Sequence, residues 1–553
     1  MPDRVIIRGG LVVDGSGDEP FEADVAVSAG RIAEIGSELK GDQVIDASGA
    51  LVAPGFIDLH THYDPQVLWD PWLSPSSTLG VTSVVAGNCG LSVAPCPPEL
   101  RGALVRMLDA IEDMRVETLE AGISWNFETY PEYLAAIRER GIAINFGGFI
   151  GHTAVRLWVM GAEAYERTAS SEEIAAMRSV VREAVDAGAL GFSTDRGPYH
   201  KADGGRPVPS TVASVEEVEA LCMAVAEAGR GIIHVSPGET FDWLYELQPR
   251  LGCPVTWSAI LTYPEDTASR AHWSDKLEQH RRGVAAGADV HPQVTCRPIT
   301  FQFTLADPAP FFVLPAFAEL GTADYAGRAR IYADPAWRAR ARQELDSGRH
   351  LNPRWDSFDV AESRQTELVG RAVAEVARER EEHPLDTLVS IGLADDLETR
   401  FRVTFANDDV DGVSELLKAP GCVLGLSDAG AHVGQMCEAL MPLDYLASWV
   451  RDRSLASPAE GIRKLTGELA DLVRLNGRGY LRPGYAADIV VLDWETLDPG
   501  PTRRVWDLPA DGNRLIADQP RGLRHVLVNG EPIRLDGKQQ EPDSLPGQLL
   551  DNA

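Results

Sequence analysis

The chain has 553 residues, 44% hydrophobic and 24% charged, which is typical of a globular protein with a large buried core. Its 51 basic and 83 acidic residues give a formal net charge of −32, so neither nucleic acid nor an anionic membrane surface is an expected partner. We also expect no signal peptide or membrane span, and the seven cysteines lack framework spacing, which favours the cytoplasm.

Both ends of the chain are predicted to form one small β domain. The first part contains short alternating strands, such as the one from Ala23, broken by Gly, Asp and Ser. Similar segments begin at Ala487 and His525. We therefore predict a composite β-sandwich domain from residues 1–53 and 477–553, into which the centre of the chain is inserted.

The centre of the chain, residues 54–476, alternates strands and helices, which indicates a parallel α/β sheet. Eight strands are predicted, one ending at His62 and the others over residues 81–89, 142–152, 189–194, 231–236, 254–261, 288–294 and 421–428. Helices with an N-terminal Ser and a C-terminal Gly are predicted between them, over residues 171–188, 214–229 and 274–287. Eight such units predict a (β/α)8 TIM-type barrel.

Residues 297–418 interrupt this alternation between strands seven and eight. They are rich in Pro, Arg and acidic residues and are longer than an ordinary connection. The segment from Tyr332 predicts an exposed helix. We expect an insertion able to cover the barrel mouth, and a plain surface excursion is the alternative.

Histidines stand two residues apart at the end of the first barrel strand. On a strand, His60 and His62 would point to the same side, where both imidazoles could face one metal ion. Imidazole nitrogen suits Zn²⁺, Fe, Co or Ni. A pair of histidines in a solvated turn is the alternative interpretation.

Residues of metal-ligand or acid–base type also close several of the other predicted strands. These residues are Cys89, His152, His234, His291 and Asp428. Because the carboxyl ends of all the strands of a barrel face one mouth, these side chains are predicted to converge there. Taken singly, each has a structural explanation as a buried thiol, a hydrogen-bonded core histidine or a helix cap.

Such a set of side chains suits hydrolysis. Histidine and thiolate ligands hold a Lewis-acidic metal ion that lowers the pKa of bound water toward about 7. A nearby carboxylate can take the proton and return it to the leaving nitrogen. The pattern therefore predicts a metal-dependent hydrolase of a C–N bond.

Several stretches resemble the amidohydrolase superfamily and, within it, the N-acyl-D-amino-acid deacylases or D-aminoacylases. The stretches are residues 55–62, 80–90, 150–156, 188–194, 426–428 and 478–491. The Gly-Asn-Cys-Gly run ending at Gly90 is the most diagnostic, since many relatives bridge two metals with a carboxylated Lys on strand four, where this chain has no Lys. The resemblance covers nearly the whole chain outside residues 297–418.

The resemblance implies a metal site and a substrate class. His60 and His62 would bind one divalent metal, expected to be Zn²⁺, Cys89 would bridge, and His234 would belong to a second site. Asp428 would be a ligand and the general acid/base. An N-acyl amino acid or a related small amide would be the substrate. We expect substrate contacts from His152, Arg156, Ser258, His291 and His432.

The sequence departs from the D-aminoacylase pattern on strand six. There a Ser-His pair and a following Lys are expected, but Ser258 is followed by Ala259 and Ile260. The second metal site would therefore lack a ligand, and we predict one tightly held metal. As the alternative, His291 or His152 would supply the missing ligand.

Two further functions remain open from the sequence. One is a cyclic-amide hydrolase of the hydantoin or dihydropyrimidine kind, against which the missing strand-four Lys counts. The other is a non-catalytic relative that keeps the fold as a binding module. The absent strand-six histidine favours the second, whereas the retained His60, His62, Cys89 and Asp428 oppose it.

Overall fold

The computed structural model describes residues 4–198, 200–202, 205–238, 241–263, 272–308, 311–312, 314–321, 323–348 and 353–552. The chain divides into two units. The first combines Met1–Arg297 with Asp409–Ala553, and the second is Pro298–Asp408.

Eight parallel strands, labelled β1 to β8 in chain order, form the barrel of the first unit. They span Phe56–Asp58, Val81–Ala86, Asn145–Gly151, Gly191–Asp195, Ile232–Ser236, Val255–Ser258, Val290–Val294 and Val423–Leu424. Each strand pairs with its neighbour in chain order, and a parallel bridge between Thr61 and Ala429 joins the two ends of the sheet. The predicted (β/α)8 barrel is confirmed, although β1 and β2 end before the histidines and the cysteine assigned to them.

Helices alternate with these strands, as the sequence predicts. Those of the first unit span Arg101–Glu112, Val116–Gly122, Tyr130–Arg140, His152–Met160, Ser171–Ala187, Pro209–Val212, Val215–Glu227, Asp242–Leu251, Trp273–Ala285, Val410–Lys418, Met441–Asp444, Pro458–Leu465 and Gly467–Leu472, with a π-helix at Tyr445–Asp452. The helix Ser171–Ala187 starts with a capping box between Ser170 and Glu173 and ends at Gly188, whose φ of 117° suits glycine. Among the described residues, no helix is long and apolar enough to cross a bilayer.

Both chain ends contribute to one nine-stranded sheet. Its strands are Val5–Val12, Phe21–Ser28, Arg31–Gly36, Gln43–Asp46, Leu51–Pro54, Ile489–Leu492, Leu523–Val528, Glu531–Leu535 and Lys538–Gln539. Leu51–Pro54 pairs antiparallel with Ile489–Leu492, and Gly55 N donates to Asp488 O at 2.9 Å. This pairing fixes the chain immediately before β1. A separate hairpin joins Arg503–Leu508 to Gly512–Ile516.

The second unit has its own sheet and core. Its strands Ile299–Thr304, Arg400–Ala406 and Phe358–Glu362 form an antiparallel sheet in that order, and its helices are Ala318–Gly321, Tyr325–Ala333, Pro335–Asp346, Val373–Arg380 and Pro384–Ala394. The prediction of one exposed helix from Tyr332 is wrong. Two helices meet there, and Tyr332 and Trp337 are buried in the core of this unit.

The second unit is also shorter than the insertion predicted from the sequence. The helix Val410–Lys418 belongs to the first unit, because Val413, Leu416 and Leu417 are buried in the large hydrophobic cluster that also contains residues of the barrel strands. An apolar face of this kind stabilises a helix only where a partner covers it.

Candidate metal centre

His60 and His62 lie just beyond β1, where the backbone is held on both sides. Thr61 N donates to Val85 O at 3.0 Å, and His62 N donates to Ala429 O at 2.8 Å. Both imidazoles are buried, and their ring centroids are 5.4 Å apart. The structure therefore places the two histidines together, as the sequence predicts, although the segment that carries them is no longer regular strand.

Cys89 follows β2 and meets this pair of histidines. Its Sγ lies 3.4 Å from His60 Nε2, and one ligand atom from each of Cys89, His60 and His62 lies within 4.8 Å of the others. Ser236 Oγ donates to the sulfur at 3.3 Å. Burial alone would raise the pKa of the thiol, but His60 and His62 lower the pKa to about 6. The thiolate form is therefore favoured at neutral pH.

Asp428 follows β8 and faces the same two imidazoles. Its Oδ1 lies 3.1 Å from His60 Nε2 and 3.7 Å from His62 Nε2. Burial would raise the pKa of this carboxyl, but His60, His62 and His432 together hold the pKa well below its usual range. Asp428 is therefore ionised at neutral pH.

His234, on β5, lies beside this group in a different hydrogen-bonding state. Its Nδ1 accepts a hydrogen bond from Cys89 N at 3.3 Å, and its ring centroid is 5.1 Å from that of His60. Burial, reinforced by His60 and His62, holds the pKa of His234 well below its usual value. A neutral ring that accepts at Nδ1 carries its proton on Nε2, and this buried atom has no hydrogen-bond partner among the described residues.

The outer nitrogen of each histidine in the pair faces an acceptor that the sequence analysis missed. Gln293 Oε1 lies 2.6 Å from His60 Nδ1, and the amide nitrogen of Gln293 donates to Thr256 Oγ1 at 3.2 Å. Glu112 Oε1 lies 3.1 Å from His62 Nδ1. Gln293 was detectable in principle, because it lies two residues after His291 on one strand face. Glu112 carries no local sequence signal.

A further imidazole, also missed, lies in the loop after β4. His200 Nδ1 is 2.7 Å from Asp195 Oδ2, at the carboxyl end of that strand. Burial would lower the pKa of His200, but the Asp195 carboxylate raises the pKa to about 10. This group is therefore an imidazolium paired with a carboxylate at neutral pH. Its only sequence signal is that it follows a predicted strand end.

His152 and Arg156, both predicted to contact substrate, lie in a buried network with Glu217 and Thr194. His152 Nε2 lies 2.9 Å from Glu217 Oε1 and its Nδ1 lies 2.8 Å from Thr194 Oγ1. Arg156 Nη1 donates to both oxygens of Glu217, at 2.6 and 2.5 Å. The side chains of His152, Arg156 and Glu217 are all 0% exposed. A helix begins at His152, so these side chains enter a closed network with Glu217 and Thr194.

His291, on strand seven, pairs with a neighbouring carboxylate. His291 lies in the first half of β7, where its Nε2 is 2.8 Å from Asp289 Oδ1. Gln293, one step closer to the carboxyl end, contacts His60 instead. His291 is therefore not part of the group formed by His60, His62 and Cys89, and its substrate contact stays a prediction.

Ser258 and His432 do lie near the cluster. Ser258 Oγ is 3.0 Å from Ser236 Oγ, which in turn contacts the sulfur of Cys89. His432 is close enough to Asp428 to lower the pKa of its carboxyl. The expected substrate contacts from these two residues remain predictions.

The donor set at this mouth fits a divalent transition metal. His60 Nδ1 can donate to Gln293 Oε1, and the Glu112 carboxylate 3.1 Å from His62 Nδ1 favours a proton on that nitrogen. Both Nε2 atoms then carry lone pairs toward a carboxylate and a thiolate. Such electron-rich groups repel one another in a buried space unless positive charge lies among them. Two imidazoles, a thiolate and a carboxylate are the ligands that Zn²⁺ takes in proteins.

A comparison with protein families identifies this architecture. The model of the amidohydrolase family matches residues 43–534, most of the chain. The chain belongs to the amidohydrolase family. The resemblance predicted from the sequence motifs is therefore confirmed.

Individual relatives cover almost the full chain. The D-aminoacylase of Alcaligenes xylosoxydans xylosoxydans is 29% identical over 545 residues, covering 96% of this chain and 95% of that protein. A D-aminoacylase structure described with a binuclear metal center matches 100% of both chains, with a TM-score of 0.67 and 25% identity. An N-acyl-D-glutamate deacylase of Bordetella bronchiseptica, complexed with zinc and a phosphonate inhibitor, matches with a TM-score of 0.66, 26% identity and 99% coverage of each chain.

Removing the Arg156 side chain should destabilise the protein while leaving metal binding intact. The change Arg156→Ala leaves Glu217 buried without its guanidinium partner, which costs about 3–5 kcal/mol for a pair of this kind. Thermal melting, with metal content measured on the folded fraction, checks this. Arg167→Ala removes only exposed ion pairs and is the control, with little expected change. A parental melting temperature for Arg156→Ala would contradict this structural role.

Proposed function

We propose that this protein is a metal-dependent amidohydrolase that cleaves the amide C–N bond of an N-acyl amino acid or a related small amide. The observation that supports this most directly is the convergence of His60, His62, Cys89 and Asp428 at the barrel mouth. The similarity to D-aminoacylase and to N-acyl-D-glutamate deacylase over nearly the whole chain supports the substrate class.

The proposed reaction adds water to the amide carbonyl. A divalent ion held by His60, His62, Cys89 and Asp428 would supply Lewis acidity at this position. Asp428, ionised at neutral pH, takes a proton from a water molecule while the oxygen of that water forms a bond to the carbonyl carbon. Asp428 then returns the proton to the nitrogen as the C–N bond breaks, which yields a carboxylic acid and an amine.

Two further groups are placed to act on the substrate. The buried Nε2 of His234 is a donor without a partner among the described residues, and it suits the oxygen on which negative charge develops. The Ser258 hydroxyl bonds to the Ser236 hydroxyl, which in turn donates to Cys89 Sγ. We assign His234 to the substrate oxygen and Ser258 to a polar group of the substrate.

One tightly held metal ion suits these residues better than two. The sequence from Val255 to Tyr263, on and after β6, contains no imidazole or carboxylate, and His291 is engaged with Asp289. Among the described residues, the family correspondence gives a second ion only Cys89 and His234 as protein ligands, whereas a zinc site normally has at least three. His234 also uses Nδ1 to accept from Cys89 N.

The non-catalytic alternative leaves this arrangement unexplained. A buried thiolate and a partly buried carboxylate beside two buried imidazoles are costly to fold without a function that needs them. For the cyclic-amide alternative, β4 ends in Asp195 and carries no Lys to bridge two metals.

A substrate screen tests the proposed activity. The zinc-loaded protein should hydrolyse at least one N-acyl amino acid in a panel that pairs D and L forms of several side chains with hydantoins and dihydropyrimidines. Amine release, followed with an amine-reactive dye, and ring opening, followed by absorbance, are the readouts. Turnover of the cyclic amides alone would replace the proposal with the cyclic-amide alternative.

Asp428→Asn should lower kcat by at least about 10²-fold, because the amide cannot take up the proton. The fold should persist, and the metal should largely be retained. Steady-state kinetics on a substrate found in the screen gives the measurement. Asp24→Asn, a buried carboxylate in the nine-stranded sheet, is the control and should keep the parental kcat. Full activity in Asp428→Asn would remove this residue from the mechanism.

Metal analysis separates the ligands from their neighbours. The parent should hold one equivalent of zinc after dialysis, and His60→Ala or His62→Ala should lose it, since each removes a ligand. His234→Ala should retain the metal while losing activity. His280→Ala, a buried histidine that bonds Tyr245 and Pro420, is the control and should keep both. Two equivalents in the parent and one in His234→Ala would overturn the one-metal proposal.

A further inference from the structure

Two residues outside the proposed ligand set touch the outer nitrogens of the histidine pair. We infer that Glu112 and Gln293 are positioning residues that set the metal affinity of this site. They would do so by holding His62 and His60 in the tautomer and orientation that present Nε2 to the ion. This inference rests on the proposed metal-dependent function and adds to it a determinant of metal affinity.

The contact of Gln293 with His60 has a defined direction. Gln293 Oε1 lies 2.6 Å from His60 Nδ1, while Gln293 Nε2 donates to Thr256 Oγ1 at 3.2 Å. Gln293, His60 and Thr256 are all 0% exposed, so water does not compete for these groups. Because Thr256 engages the amide nitrogen, the amide oxygen faces the imidazole and can only accept. The proton of His60 is therefore held on Nδ1 and the lone pair on Nε2.

Glu112 performs the equivalent role for His62 with a charged group. Its Oε1 lies 3.1 Å from His62 Nδ1, an ion-pair distance without hydrogen-bond alignment, and both side chains are buried. Glu112 is the last residue of the helix Arg101–Glu112. The next residue, Asp113, ends the helix in the left-handed conformation and accepts a hydrogen bond from Gly434 N at 3.2 Å. This contact ties the helix end to the segment after β8 that carries Asp428.

The two outer partners differ in charge, which makes their effects separable. A carboxylate beside an imidazole N–H increases the electron density that the other nitrogen offers to a metal, whereas a neutral amide mainly fixes the orientation. Removing the carboxylate of Glu112 should therefore weaken metal binding through charge and geometry. Removing the amide of Gln293 should weaken it through geometry and tautomer, and Glu at that position should restore the acceptor.

The test is the zinc dissociation constant of the full chain, measured by competition with a chromophoric chelator. Glu112→Ala and Gln293→Leu should each raise Kd by about 10–100-fold, the effect typical of losing an outer partner of a metal ligand. Glu112→Gln should raise Kd less than Glu112→Ala, and Gln293→Glu should stay close to the parental Kd. If a truncated variant does not fold, Glu112→Gln tests the loss of charge at His62, and Gln293→Glu tests whether any acceptor at that position suffices for His60.

Two matched variants separate positioning from general loss of stability. Glu217→Gln removes a buried carboxylate bonded to Arg156, and Gln248→Leu removes a buried amide bonded to Cys253 O and Asp289 N. Both should lower the melting temperature while changing the zinc Kd by less than about threefold, well below the effect expected for an outer partner.

The outcomes are distinct. Parental Kd values in Glu112→Ala and Gln293→Leu would overturn this inference and leave the proposed function standing. Where those two variants do not fold, a parental Kd in Glu112→Gln or a strongly raised Kd in Gln293→Glu would do the same. Equal weakening in Glu217→Gln and Gln248→Leu would also overturn it, because the effect would then be one of stability. A parent that binds no zinc after supplementation would overturn the proposed function together with this inference.

Discussion

Several electron-rich groups lie close together at the barrel mouth, and the surrounding structure must hold them there against their mutual repulsion. A thiolate, a carboxylate and two imidazole nitrogens lie within a few ångströms of one another. Burial alone would lower the pKa of His62, but the neighbouring negative groups raise this pKa well above its usual value. Without a metal ion, the site therefore holds a proton, and so a positive charge, on this imidazole. A metal ion and a proton are competing ways to supply that charge, which is why such sites bind metal more weakly in acid.

Backbone contacts hold the segments that carry these groups in place. The segment of His60 and His62 is bonded on one side to Val85 and on the other to Ala429, so it bridges the first and last strands of the barrel. The nine-stranded sheet fixes the residue before β1 through Asp488. The side chains that repel one another are therefore held by the barrel strands and the nine-stranded sheet, whose own hydrogen bonds do not depend on the site. A preorganised site requires rigid support of this kind.

The sequence predicts the barrel well because each element carries its own signal. Apolar runs and capping residues mark the strands and helices, and parallel topology gathers the strand ends, so Cys89, His234 and Asp428 follow from position alone. The failures have physical causes. His152 begins a helix, so its side chain enters a buried network. His291 lies two residues before Gln293, the β7 residue whose side chain contacts His60. Glu112 reaches His62 only through tertiary packing, which leaves no local pattern.

Strand six bears on how many metal ions this site can hold. Where the family resemblance calls for a histidine, this chain has Ala259, and the adjacent Ser258 contacts Ser236, whose hydroxyl donates to Cys89 Sγ. A thiolate that bridges two ions must share its lone pairs with both. In this chain a hydroxyl proton occupies one of those directions, so a second ion would have to displace it and would find no strand-six imidazole in return. The absent strand-six imidazole and the hydroxyl that donates to Cys89 therefore both favour the proposed single metal.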